Sequence, residues 1–84
     1  MTRLLYYAWV KEKTGIAAED VELPGDNDTD ADLIAWQKTR GPEFENAFAQ
    51  GKTIRTAVDQ AHAKAEASIT GAKEIAFFPP VTGG

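Results

Sequence analysis

The sequence predicts an α+β fold in which helices cover one face of a mixed sheet. Strand-like apolar segments lie near both ends of the chain, at residues 3–10 and 74–78, and helix-capping signals lie between them. This order leaves the first and last strands free to pair in parallel at the middle of the sheet. The 84 residues are enough for one domain, which we place at residues 1–78, followed by an extended tail at 79–84.

The amino-terminal part predicts a hairpin of two strands. Residues 3–10 are aromatic and aliphatic without a helix breaker, and residues 18–23 alternate polar and apolar side chains toward their end. A glycine between the two segments supplies the turn. Because side chains alternate along a strand, Leu5, Tyr7 and Trp9 are expected on one face of the first strand.

Capping signals predict two helices in the middle of the chain. Thr29 or Asp30 caps the first, which ends at Gly41, with acidic residues in its first turn and basic residues in its last. Pro42 suits the first turn of a second, short helix. Residues 53–58 are then expected to form a third strand.

The segment at residues 61–67 is open between two structures, because its alanine content favours a helix and its strict alternation favours a strand. It carries His62, the one histidine of the chain. With no cysteine beside it, a transition-metal site is disfavoured. We expect a surface histidine, paired with Glu66 if the segment is helical.

The composition argues against several classes of function. A net charge of −4 and a pI of about 4.8 argue against nucleic-acid binding, since binding phosphates requires a basic surface. The absence of cysteine excludes disulfides, thiolate metal sites and cysteine nucleophiles, and fits a reducing compartment. The longest apolar run, residues 4–10, is far shorter than the roughly 20 residues of a membrane span. A cytoplasmic protein that does not enter a membrane is therefore expected.

Conventional active-site motifs are also missing. Asp26, Asp28 and Asp30 have the spacing that opens a calcium loop, but Ala31 replaces the required glycine and Gln37 replaces the bidentate glutamate. The chain has no G-x-S-x-G nucleophile elbow and no glycine-rich phosphate loop. Any ATP used in its chemistry must therefore be bound by another protein.

The unusual feature is the end of the chain. Pro79 and Pro80 form a stiff extended neck, because each proline fixes its φ angle and lacks a backbone N–H. Two glycines, Gly83 and Gly84, then end the sequence, and without Cβ atoms they fit a channel too narrow for other residues. The terminal carboxylate would react only after activation, for example as an acyl-adenylate. An inert frayed tail is the simplest alternative.

Residues 74–84 resemble the carboxyl-terminal signature of the small subunit of molybdopterin synthase, a ubiquitin-like sulfur carrier. Residues 4–8 resemble the first strand of that family, and residues 41–44 resemble the break after its first helix. Residues 57–60 are similar to its third strand, although the family usually has Asn where this chain has Asp59. The resemblance extends over nearly the whole chain and is most specific in the tail.

This resemblance implies a β-grasp fold and chemistry at the chain terminus. An E1-like enzyme uses ATP to adenylate the carboxylate of Gly84, and a sulfur donor converts it to a thiocarboxylate. The tail then enters the large subunit of the synthase, within a heterotetramer, and its sulfur passes to cyclic pyranopterin monophosphate (precursor Z). The chain alone binds no cofactor and is no enzyme in this scheme. It is the sulfur-donating subunit of a two-subunit sulfurtransferase of molybdenum cofactor biosynthesis.

A binding surface is expected where the tail leaves the sheet. Tyr7 and Phe78 lie on neighbouring strands in the predicted order, on the face without helices, where apolar side chains can bind both partner proteins. The alternative is that one of them packs under residues 61–70. The residues expected to contact the partners are Tyr7, Phe78, Pro79, Pro80, Val81 and Thr82.

The tail does not by itself separate related functions. A ubiquitin-like protein modifier, with its terminal glycine linked to lysines of target proteins, would use the same ending and the same activation. A carrier for thiamine or cysteine synthesis is a further alternative. The Phe-Phe-Pro-Pro neck at residues 77–80 resembles the molybdopterin branch and favours that function.

Overall fold

A computed structural model describes residues 1–49 and 53–80 of the chain. These residues form five strands and three helices. In chain order the elements are β1 (Thr2–Tyr6), α1 (Ala8–Thr14), β2 (Ala18–Val21), α2 (Asp30–Gln37), α3 (Pro42–Phe48), β3 (Arg55–Val58), β4 (Ala61–Ala63) and β5 (Glu74–Phe78).

The five strands form one mixed sheet in the order β2-β1-β5-β3-β4. The first and last strands are parallel neighbours at its centre, with Leu4 opposite Ile75 and Tyr6 opposite Phe77. The other neighbouring pairs are antiparallel. This arrangement confirms the predicted central parallel pair and the β-grasp fold.

The three helices cover one face of the sheet, as predicted. Alternate residues of the two central strands point toward them, and Phe77 in the middle of this layer has no solvent exposure. All helices contribute to the same core, so the opposite face of the sheet is left uncovered. The buried core comprises Leu4, Tyr6, Val10, Leu33, Ala47, Phe48, Ile54, Ile69, Ala72, Ile75 and Phe77.

The predicted strand at residues 3–10 is wrong in its second half, because β1 ends at Tyr6 and α1 begins at Ala8. Val10 and Thr14 are both buried, and a spacing of four residues buries them on one side of a helix. Gly15 is therefore not a hairpin turn. It ends α1 in the left-handed conformation at φ 82°, and its N–H donates to the Lys11 carbonyl at 2.8 Å.

The segment at residues 61–67, for which the sequence left helix and strand undecided, begins with a strand. β4 covers Ala61–Ala63 and pairs with β3 in antiparallel register. Because the segment is not helical, the condition for the His62–Glu66 pair is not met. Of the two opposing signals, the alternation therefore prevails over the helix propensity of alanine. The segment pairs with β3 as the edge strand of the sheet.

A two-residue turn joins β3 to β4 and holds the start of β5. Asp59 and Gln60 both have positive φ, at 49° and 72°, as tight hairpins require. The Asp59 carboxylate accepts hydrogen bonds from the N–H groups of Lys73 and Glu74, each at 3.0 Å. An Asn carbonyl oxygen would serve equally well. The departure from the family pattern at this position therefore preserves the structural role.

Thr29, rather than Asp30, caps α2. The Thr29 hydroxyl accepts from the N–H of Asp32, and the Asp32 carboxylate accepts from the N–H of Thr29, both at 3.2 Å. This reciprocal capping box satisfies two backbone donors of the helix start. The predicted end of this helix at Gly41 is wrong, because α2 ends at Gln37 and its last turn carries no basic residue. The N–H groups of Thr39 and Arg40, just beyond it, donate three positions back instead of four. α3 begins with Pro42 as predicted.

A polar cluster at the edge of the core joins β1, β2 and α2. The buried Tyr6 hydroxyl donates to Glu19 at 2.6 Å and accepts from the Gln37 amide at 2.8 Å. Arg40 binds the same carboxylate through two nitrogens, at 2.6 and 2.7 Å, and its guanidinium lies 4.3 Å from the centre of the Phe44 ring. The hydrogen bonds from Arg40 lower the pKa of Glu19. Burial raises the pKa of Tyr6, which keeps its hydroxyl protonated.

Asp30 is a buried carboxyl group in the first turn of α2. It is 4% exposed, and among the described residues its Oδ1 atom has no hydrogen-bond partner. Burial raises its pKa to about 6, and the nearby Thr56 hydroxyl opposes this shift only weakly. The charged form of Asp30 is therefore disfavoured in the folded chain.

Arg40→Gln is expected to lower the free energy of unfolding by about 2–3 kcal/mol at neutral pH, because Glu19 stays mostly buried without its cation. The pKa of Glu19 is lowered in the folded state. This contribution is therefore present above the unfolded pKa and is lost as the pH falls through the folded pKa. Urea unfolding at neutral and acidic pH measures both effects. As a control, Arg3→Gln breaks an exposed ion pair and should cost clearly less than Arg40→Gln; equal losses would contradict the prediction.

Asp30→Asn is expected to remove a pH dependence of stability. The folded pKa of Asp30 is raised to about 6. Its protonation therefore stabilises the fold below that value, and the stabilisation is lost as the pH rises through about 6. Relative to the wild type, the variant should gain about 1–2 kcal/mol between pH values of about 4 and 7.5. Urea unfolding across this range tests it. The same gain in Asp26→Asn, an exposed loop control, would refute the assignment to Asp30.

Candidate functional site

The open face of the sheet is the one that the helices leave uncovered. Its centre is flat and apolar, because Leu5 and Ala57 both lie opposite the small Ala76 in the sheet register. Toward the two ends of the strands, the open face carries charged or aromatic side chains. By strand alternation, the open face consists of Arg3, Leu5, Ala18, Asp20, Arg55, Ala57, His62, Glu74, Ala76 and Phe78.

Phe78 ends β5 on this face, as predicted, and is half-buried. It pairs with Arg55 of β3. The His62 ring meets the Phe78 ring edge-to-face, with centroids 5.6 Å apart and an interplanar angle of 85°. Such a contact restricts the orientation of the phenyl ring. Phe78 therefore does contact the segment at residues 61–70, as the alternative expected, but through His62 of the edge strand β4.

Tyr7 lies between β1 and α1 and is 50% exposed. Its N–H donates to the Phe77 carbonyl at 3.1 Å, which continues the parallel register by one residue. Since Tyr6 is opposite Phe77, Tyr7 is opposite Phe78. The two aromatic residues expected from the sequence are therefore neighbours at one end of the open face. Trp9, the third residue expected on that face, instead belongs to α1 and packs partly buried against the core.

Ala8, the residue after Tyr7, has an unusual backbone conformation. Its φ of 52° lies in the left-handed region, which costs an L-residue with a Cβ about 1–2 kcal/mol. The chain therefore changes from strand to helix within two residues, Tyr7 and Ala8. Tyr7 then caps the helix with its carbonyl, which accepts from Val10 and Lys11 at 3.1 and 3.4 Å.

Pro79 and Pro80 follow Phe78 and lie in neither helix nor strand. Together with Tyr7 and Phe78 they form what we name the tail root. The remaining predicted site residues, Val81, Thr82, Gly83 and Gly84, lie outside the described residues.

Sequence reasoning missed two members of this region, His62 and Arg55. Both flank Phe78 from the β3–β4 side. The alternation at residues 61–67 was the signal for His62, because it places the histidine on the face opposite Ala61 and Ala63. No local signal marked Arg55, because its position depends on long-range pairing with β5.

The region around Tyr7 and Phe78 combines exposed and partly buried apolar side chains. In residues 1–49 and 53–80 no group of three His, Cys, Asp or Glu side chains is placed to hold a metal ion. Over the same ranges no helix is long and apolar enough to cross a membrane. What the region offers is an apolar surface beside Pro79 and Pro80, an arrangement suited to docking on another protein.

Comparison with known proteins gives full-length matches. The model of the ThiS family matches residues 4–84. The molybdopterin synthase sulfur carrier subunit of Haemophilus influenzae is 32% identical over 84 residues, covering 100% of both chains. The protein of the same name from Escherichia coli K12 is 33% identical over 84 residues, again covering 100% of both.

Two solved structures share the fold. SAMP1 from Haloferax volcanii superposes with a TM-score of 0.70 at 20% identity, covering 99% of this chain and 98% of that one. A putative molybdopterin converting factor, subunit 1, from Pyrococcus furiosus gives a TM-score of 0.67 at 20% identity, covering 95% and 97%. These likenesses agree with the β-grasp architecture, and the sequence matches confirm the resemblance seen in the tail. The chain belongs to the ThiS family.

Proposed function

We propose that this chain is the sulfur-carrier subunit of molybdopterin synthase. In this function an E1-like enzyme adenylates the carboxylate of Gly84, and a sulfur donor converts it to a thiocarboxylate. The sulfur then passes to cyclic pyranopterin monophosphate (precursor Z) inside the large subunit of the synthase. The observation that carries the proposal is the Pro-Pro…Gly-Gly ending on a chain that matches two sulfur carrier subunits over its full length.

The chemistry of the terminus supports this scheme. Attack of the carboxylate on ATP gives an acyl-adenylate and releases pyrophosphate. A hydrosulfide equivalent from the sulfur donor then attacks the acyl carbon and displaces AMP, which leaves the thiocarboxylate. The carrier chain needs no acid, base or metal for these steps, because both partner enzymes supply their own sites. Its contribution is a terminus that fits a narrow channel, which two glycines provide.

The tail root supports the scheme by the way it positions the terminus. β5 is the central strand and pairs on both sides, so the last residue before the prolines is fixed by two neighbours. Two prolines then limit the directions in which the tail can extend. A tail that leaves a rigid base loses less conformational entropy on entering a channel than one that leaves a loop.

We propose that Tyr7 and Phe78 dock on both partners, the large subunit and the activating enzyme. Each partner must bind the same terminus, so each has access to the same adjoining surface. Half-exposed aromatic side chains are favourable anchors because they bury a large area at low entropic cost. We assign the activity to the cytoplasm, where ATP is available for activation. We also retain the heterotetramer with the large subunit as part of the proposal.

Intact-mass measurement tests the carrier chemistry. After incubation with ATP, the activating enzyme and a sulfur donor, the chain should gain the mass difference between one sulfur and one oxygen. Deletion of Gly84 should abolish the gain, because the reacting carboxylate then sits one residue short of its site. An unchanged mass with an enzyme of demonstrated activity would refute the proposal, and conjugates to lysines would favour a protein modifier.

Docking is tested by Phe78→Ala and Tyr7→Ala in binding measurements with the large subunit. Each variant is expected to weaken binding at least tenfold while the chain stays folded, because truncating an aromatic anchor typically costs about 2 kcal/mol. Lys38→Ala is the control, since Lys38 is an exposed side chain on the helical side of the molecule rather than on the open face. Unchanged affinity in both aromatic variants would remove the docking role.

A further inference from the structure

The tail root adjoins a row of side chains that crosses the open face. Tyr7 lies beside Phe78, and Phe78 pairs with Arg55. Thr56 pairs with Ala63 in the antiparallel β3–β4 register, so Arg55 lies opposite Lys64, one position further along. The row therefore runs from two aromatic residues to two cations.

The carboxylates of the open face are at its other end. Glu74 begins β5 and Phe78 ends it, four residues later, which corresponds to about 13 Å along a strand. Asp20 lies at the same end as Glu74 and is paired with Arg3, at 3.1 Å. Since the Debye length is about 8 Å at physiological salt, these carboxylates do not neutralise Arg55. Arg55 and Lys64 thus place two positive charges beside the tail root of a chain whose net charge is −4, and the exposed Glu66 is the carboxylate nearest to them in sequence, two residues after Lys64.

The two cations are exposed, and the described residues offer them no ion pair. One acidic residue, Asp30, lines the same cavity of about 280 Å³ as Arg55 and Lys64. It is 4% exposed and forms no ion pair with either cation among the described residues. Arg55 and Lys64 therefore keep their positive charges available to a binding partner.

We propose that Arg55 and Lys64 form a cationic contact that binds carboxylates of the large synthase subunit, on the rim of the site that receives the tail. The contact rests on the proposed function and adds a specificity determinant to the docking surface. The partner must then carry acidic side chains next to the site that binds Tyr7 and Phe78. Basic side chains at that position would repel Arg55 and Lys64, and neutral ones would not compensate for the loss of hydration of the two cations.

This contact acts mainly on the rate at which the two proteins associate. Exposed charges attract an oppositely charged partner over several ångströms and raise the association rate, whereas apolar contacts set the dissociation rate. The attraction is screened by salt. Association of the chain with the large subunit should therefore slow as the salt concentration rises, and the charges at the tail root should account for that dependence.

The test compares two double charge reversals that change the net charge equally. Arg55→Glu with Lys64→Glu alters the proposed contact, and Lys13→Glu with Lys38→Glu alters exposed lysines of the helical side. Stopped-flow association with the large synthase subunit is measured at low and high salt. The first double variant should associate at least tenfold more slowly at low salt and lose most of the salt dependence, whereas the control should change less than threefold.

Three results would overturn the inference. Equal slowing in both double variants would assign the effect to net charge, and no slowing in either would show that the cations do not meet the partner. Failure of the wild type to bind at any salt would overturn the proposed partner together with the contact, whereas the mass test of the terminus judges the carrier chemistry separately. If the charge-reversed variant fails to fold, the Gln variants Arg55→Gln and Lys64→Gln test the same salt dependence.

Discussion

The parallel pairing of β1 with β5 is the constraint on which the rest of the molecule depends. It joins the two ends of the chain at the centre of the sheet, where Tyr6 stacks on Phe77 with ring centroids 5.5 Å apart. Phe48 of α3 meets Phe77 edge-to-face at 5.1 Å, so the helical layer closes over the same strand. The residues after β5 therefore follow a strand that is paired on both sides and packed under the helices, and the end of that strand moves only if the core opens.

The register of this pair links stability to the binding surface. Side chains alternate along both strands, so Tyr6 and Phe77 fill the core while Tyr7 and Phe78 face outward one residue later. A slip of one residue would exchange the two sets and expose the core aromatics. The Tyr6 hydroxyl resists such a slip, because its hydrogen bonds to Glu19 and to Gln37 fix the ring. Selection for a stable core thus also fixes the surface beside the tail.

Sequence reasoning succeeded where a local pattern and the tertiary contacts agree. The last strand at 74–78, the α2 cap at Thr29 and the start of α3 at Pro42 follow from propensity and capping chemistry. It failed at residues 7–10, where β-prone aromatic residues continue past the strand. There the burial of Val10 outweighs propensity, because a helix beginning at Ala8 directs that side chain into the core.

By itself, the sequence determined the α+β class and the family resemblance, because capping residues, alternation and the terminal motif are local features. Only the tertiary structure decided that Tyr7 and Phe78 are neighbours and that His62 and Arg55 flank the same ring. These placements depend on which strands pair and in which register. Long-range pairing is set by burial across the whole core, and no local stretch of sequence contains that information.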